Sequence, residues 1–206
     1  MAILCPSLMA QKGGSGASGM QFGFKLGPNF STWTGEDAKP SDDEKKKMLI
    51  GAHAGVFMTI PLTQMLLLQP ELLYSMQGAR YTYEDGWKET YRTNHLNIPI
   101  ALRIQWPTGL YAIIGPQVGF SLGGKYKWEY EDEEGDEDLE DLQSVQLSGV
   151  VGLGYQMPNG FGIYARYAHT FSKPFDFGDE DIKIHNSLVM ISFFYMLKMS
   201  KGAGGR

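Results

Sequence analysis

A single cysteine, Cys5, stands among the 206 residues, so no intramolecular disulfide can form and cysteine usage gives no clue to a redox compartment. No apolar run approaches the roughly 18 residues that a spanning helix needs, which excludes a helical membrane protein. Basic residues are not in excess. The 18 Lys and Arg are outnumbered by 23 Asp and Glu, for a net charge of -5, and nothing in that balance attracts nucleic acid. The four histidines, His53, His95, His169 and His185, are scattered, and none stands at metal-ligand spacing from another. There is no glycine-rich phosphate loop and no nucleophile elbow. No cofactor and no metal are therefore expected, and the chain reads as non-enzymatic; His95 and His169 are placed near a rim as solvated side chains.

What the chain has instead is alternation. In residues 66–78, LLLQPELLYSMQG, one side of a strand carries Leu66, Leu68, Pro70, Leu72, Tyr74 and Met76. The other carries Leu67, Gln69, Glu71, Leu73, Ser75 and Gln77. Residues 96–106, LNIPIALRIQW, repeat the design, with Asn97, Pro99, Ala101, Arg103 and Gln105 opposed to an aliphatic face. A water-soluble sandwich would show many Lys and Glu on its polar face, and these faces hold a lone Glu or Arg. The pattern predicts a barrel turned inside out, apolar toward lipid and polar toward a narrow lumen.

The same alternation predicts strands over residues 20–32, 52–60, 66–83, 90–106, 110–128, 145–157, 161–171 and 188–197. Connections at 34–47, 84–88, 129–141 and 173–181 are charged, whereas those at 61–64, 107–109 and 158–160 are short and carry Pro or Gly. Eight strands with this asymmetry make an all-β, antiparallel, up-and-down transmembrane barrel with short periplasmic turns and long extracellular loops. A soluble eight-stranded barrel of the lipocalin kind has the opposite polarity. Glycines crowd the polar faces, among them Gly23, Gly55, Gly115, Gly119 and Gly152. Trp106, Tyr155, Phe161 and Tyr195 gather at the short-turn ends as an interfacial girdle. Residues 1–19 read as the tail of a signal peptide followed by a flexible lead, 20–198 as the barrel, and 199–206 as a flexible C-terminal tail. Leu4 before Cys5 does not suit lipoprotein cleavage, which calls for a small residue there.

Five segments then resemble the PorT-like outer-membrane β-barrel proteins typical of Bacteroidetes, in that family's order. They are GFKLGPNFS at 23–31, LQPELLYSMQGA at 68–79, HLNIPIALRI at 95–104, GLYAIIGPQVGFSLGGK at 109–125 and GLGYQMPNGFGIYARY at 152–167. The chain departs from the family in its acidic stretch at 129–141 and in its tail, where such barrels usually stop on an aromatic. The resemblance implies fold and a place in the bacterial outer membrane. A few relatives are tied to protein secretion, and most have no assigned biochemistry.

Two groups of charged residues are candidates for a role. Glu71, Arg103, Arg166 and Lys25 all point inward, which predicts a lumen network centred on Glu71, with Arg103 as first partner and Arg166 as second. Glu131, Asp132, Glu133, Glu134, Asp136, Glu137 and Asp138 form a candidate weak cation-binding loop, although they lack the positional pattern of an EF-hand. The function expected is that of a monomeric, non-enzymatic barrel with a plugged lumen, set in outer-membrane lipid and meeting other cell-envelope proteins through its loops. A narrow channel for ions or small solutes is the alternative, and a rim enzyme a more distant one.

Overall fold

The computed structural model describes residues 19–35, 44–83, 86–130, 133–139, 144–172 and 185–197. The expected signal remnant and the C-terminal tail lie outside the described residues, as do most of the connections at 34–47 and 173–181.

Among the described residues nine strands follow one another: β1 (Gln21–Thr34), β2 (Glu44–Pro61), β3 (Leu66–Tyr83), β4 (Lys88–Gln105), β5 (Leu110–Tyr130), β6 (Glu133–Asp138), β7 (Val145–Gln156), β8 (Phe161–Thr170) and β9 (His185–Leu197). All pairings are antiparallel. Eight strands pair in the ring β1-β2-β3-β4-β5-β7-β8-β9, which β9 closes onto β1; β6 pairs with the end of β5 outside that ring. Closure leaves no free edge in the wall, which a lipid-embedded sheet requires.

Burial follows the period of two expected from sequence. Outward residues such as Ile50, Ile114 and Leu153 are more than half exposed, at 68%, 60% and 67%, while their inward neighbours are buried. Three tight turns, Leu62 to Met65, Trp106 to Gly109 and Met157 to Gly160, lie at one end. There Phe161 packs on Tyr195, which also meets Phe24, giving aromatic substance to the girdle.

Among the described residues the other end is taller on one side. β2 to β5 run for 18 to 21 residues, against 10 to 13 for β7 to β9, and a membrane crossing needs about 9–11. The excess carries the same sheet beyond the wall: residues 44–48 of β2, 79–83 of β3, 88–93 of β4 and 124–130 of β5 pair in that order, and β6 adds to its edge. Register shifts between Met48 and His53 and between Thr93 and His95 mark the passage from wall to extension, while the β3–β4 ladder runs on unbroken. Gly78, at φ +144°, sits in this zone, and a Cβ there would meet the Tyr91 carbonyl at 1.8 Å.

Two expectations are corrected here. The connection at 84–88 joins strand ends that are held together, Tyr83 N–H donating to the Trp87 carbonyl at 2.8 Å and Gly86 N–H to the Tyr83 carbonyl at 3.2 Å, so the reach at that point lies in the strands. The stretch at 129–141, expected to be a solvated loop, holds the end of β5 and β6, its carboxylates alternating between the two faces of a hairpin. A run of charge does not prevent a strand when each residue can face water on an exposed ribbon.

Candidate functional site

The lumen is filled by side chains. Arg103, Arg166, Tyr164 and Ile113 are exposed by 2% or less, and Lys25 and Glu71 by 3% and 4%. At its centre Glu71, on β3, accepts hydrogen bonds on both oxygens. Lys25 Nζ donates to Oε1 at 2.7 Å, Gln69 Nε2 donates to the same oxygen at 2.7 Å, and Arg166 Nη1 donates to Oε2 at 3.0 Å. Lys25 reaches Glu71 from β1 across β2, where its register partner is Gly55; an added Cβ at Gly55 would lie 2.1 Å from the Leu72 carbonyl, so the glycine lets β2 and β3 approach closely there. Phe57 and Tyr164 flank the ammonium, with ring centroids 4.9 and 4.8 Å away. Arg166 comes from β8, on the far side of the ring, and its Nη2 lies 3.1 Å from Met190 Sδ.

Arg103 is in the lumen but does not touch Glu71. Register explains this, because β4 sets Arg103 opposite Leu67, two inward positions closer to the short turns. Arg103 Nη1 instead donates to Gln69 Oε1 at 3.1 Å, Nε donates to Gln105 at 3.0 Å and Nη2 to Gln156 at 2.6 Å, and the guanidinium lies 3.6 Å over the Tyr111 ring. Amide oxygens and a π face thus stand in for a counter-ion. Gln69 joins the two halves, donating to Glu71 and accepting from Arg103. Three cations are therefore buried with one carboxylate in a medium that penalises unpaired charge, and only Lys25 and Arg166 bond it directly.

A second buried network, which sequence reasoning missed, lies nearer the tall end. His53 is 2.7 Å from both Asn29 Oδ1 and Ser192 Oγ, and Asn29 Nδ2 donates to Ser75 Oγ and to the carbonyls of Ala52 and Met76. The signal was present in the alternation, which puts His53, Asn29 and Ser75 on inner faces. His95 also departs from expectation: it is buried in the lumen and bonded to Thr93 at 2.8 Å, away from any solvated rim. His169 does lie near the tall end, where Ser187 Oγ is within 3.2 Å of His169, Tyr167 and Thr34 side chains.

Above the lumen the tall sheet carries an aromatic cap. Trp33, Tyr81, Tyr83 and Tyr91 pack together, and Trp87 stacks on Trp128 with 5.4 Å between ring centroids. Glu89 sits among these rings and accepts from Tyr126 at 2.9 Å, Trp87 at 3.2 Å, Tyr91 at 3.3 Å and Tyr83 at 3.4 Å. Burial, then the bond to Glu89 and its charge, push the Tyr126 phenol up to about 12. On the hairpin Lys125 donates to Asp136 at 2.8 Å, which holds the Asp136 carboxyl below the usual carboxylate range and raises the Lys125 ammonium. Of the candidate cation loop, Glu131 and Asp132 lie outside the described residues. Glu133 and Glu137 fall on one face of β6 and Glu134, Asp136 and Asp138 on the other, so they do not converge. Among the described residues no three His, Cys, Asp or Glu are grouped closely enough to hold a metal ion.

The geometry has counterparts among solved structures. Neisserial surface protein A is similar over 86% of this chain and 98% of its own, with a TM-score of 0.52 at 8% identity, a likeness of fold alone. Ail, the attachment invasion locus protein of Yersinia pestis, aligns over 87% of this chain and 99% of its own, with a TM-score of 0.47 and 14% identity. No curated protein matches the sequence significantly. The family model for the outer membrane protein beta-barrel domain matches residues 9–176. With most of its length under that match and an eight-stranded closed barrel as its fold, the chain belongs to the outer membrane protein beta-barrel domain family and resides in the bacterial outer membrane.

Proposed function

We propose that this protein is a non-enzymatic barrel whose lumen is shut by the network of Lys25, Glu71, Arg103 and Arg166, and that it acts as a structural or interaction protein through its extracellular end. The observation that carries the reading is Glu71 bonded at once to β1 and, across the full width of the barrel, to β8. An open pore of eight strands would need that bridge removed, since side chains already fill so narrow an interior. The tall sheet, with its aromatic cap and acidic hairpin, supplies the surface for partners in the cell envelope. The five segments shared with PorT-like proteins support membership of that narrower group, and the barrel acts as a monomer. Planar-bilayer recording of the purified protein tests the closed lumen. Expected is a flat baseline for the native protein and for Glu71→Gln; stepwise conductance from the native protein overturns the reading in favour of an ion channel.

A further inference from the structure

We infer that the outer edge of β6 is a docking site for a basic, extended polypeptide segment with Lys or Arg at every second position, which adds to the extracellular sheet as its next strand. The inference rests on the reading of the tall end as an interaction surface and names the partner's chemistry.

Among the described residues β6 pairs only with β5, so backbone N–H and C=O groups along its far side point away from the sheet. Five of its six residues are exposed, and Gly135 is intermediate. Natural edge strands are commonly blunted by charged side chains, by Pro or by a covering element. This one is blunted by carboxylates alone, EEGDED, which repel an acidic strand and leave pairing open to one that brings cations.

Charge selects the occupant. Glu134, Asp136 and Asp138 line one face of β6 at successive positions of one row, roughly 6.6–6.8 Å apart at strand rise. An added strand with cations at every second position sets one against each of them, the cross-strand arrangement that stabilises a sheet. The hairpin meets only part of that demand. Lys127 and Lys125 stand opposite Asp136 and Asp138, and Lys125 bonds Asp136, but Glu134 stands directly opposite Glu129, a like-charge pair, so the row of three still holds more negative charge than β5 balances. On the opposite face Gly135 lets the Trp128 indole lie over β6, where an added Cβ would be 2.6 Å from the ring, with Glu133 and Glu137 on either side of it. A second copy of this chain is a poor occupant, because two EEGDED edges would bring carboxylate against carboxylate. An acidic or polyanionic partner is repelled for the same reason.

The test uses the full chain in nanodiscs of zwitterionic phosphatidylcholine and a fluorescent ten-residue peptide of alternating Lys and Thr, read by anisotropy against empty nanodiscs. Saturable binding is expected, together with an added β-type amide I band when the peptide carbonyls are isotope-labelled. Methylating the backbone nitrogens of four consecutive central residues keeps the charge and removes the donors on both edges, and should weaken binding by at least about tenfold. The chain variant Glu133→Gln, Glu134→Gln, Glu137→Gln, Asp138→Asn, checked for an intact barrel by circular dichroism, should lose at least about tenfold as well. Equal binding of the methylated peptide means attraction of a polycation without strand addition and overturns the inference, as does no binding at all. Dimerisation through β6, detected by cross-linking at introduced cysteines, overturns it in favour of self-association. None of these outcomes depends on conductance, so the closed-lumen reading stands or falls separately.

Discussion

Glu71 satisfies two cations and an amide at once, so its loss leaves more behind than a missing bond. Glu71→Gln keeps the size and removes the charge, stranding Lys25 and Arg166 in the lumen; breaking a buried pair of this kind typically costs about 3–5 kcal/mol. The unfolding temperature of the refolded barrel should fall accordingly, and a variant as stable as the parent would count against the network. Double-mutant cycles separate the two arginines. Glu71 and Arg166 should couple by more than about 1 kcal/mol, whereas Glu71 and Arg103, joined only through Gln69, should couple by less than about 0.5 kcal/mol. The alternation of residues 66–78 and 96–106 is enough to turn these charges inward, because a period of two leaves no choice of face. It does not reveal who bonds whom. That depends on register, which slides Arg103 down to Leu67 and sets Lys25 opposite Gly55.

Strands of this barrel meet three different surroundings along their length, and each gives a different response to change. Arg in place of Ile100, Ile114 or Val151, all half-exposed or more on the lipid face, should cost about 2–4 kcal/mol near mid-membrane and less toward the strand ends. Denaturant titration in lipid vesicles measures this, and a flat profile with depth would reverse the assigned faces. In the hairpin, Gly135→Ala drives a methyl to 2.6 Å from the Trp128 ring, so the stacked Trp87–Trp128 pair should lose its exciton couplet in the circular dichroism while the barrel persists. In the cap, the sign of the Tyr126 shift can be followed through. Its folded value of about 12 lies above the ordinary 10, so the stabilisation is fully present below pH 10 and is lost as pH rises through 12. Phenolate absorbance should therefore show no ionisation that Tyr126→Phe removes below about pH 11. Each of the eight wall strands was legible from hydrophobic periodicity. The hairpin was not, because EEGDED has neither an apolar face nor β-branched residues to announce a strand, and only its pairing to β5 makes it one.

For the molecule as a whole, loop chemistry in the sequence implies sidedness: charged connections at one end, Pro and Gly at the other. A broad-specificity protease applied to intact cells should cut within 131–141, and cleavage at 158–160 instead would turn the barrel over in the membrane. The one-sided height of the wall was harder to foresee, since strands that leave the membrane keep alternating and only their surroundings change. One consequence of the central bridge concerns the order of events in assembly. In the ring β3 and β8 are diametrically opposed, four strands apart whichever way one counts, and Lys25 lies on the strand that closes against β9. An open, partly formed sheet therefore cannot bring Arg166 to Glu71, and the carboxylate must stay hydrated until β1 meets β9. Sealing the wall and drying the interior then become the same step, so the lumen has no stage at which the ring is shut and the passage still open.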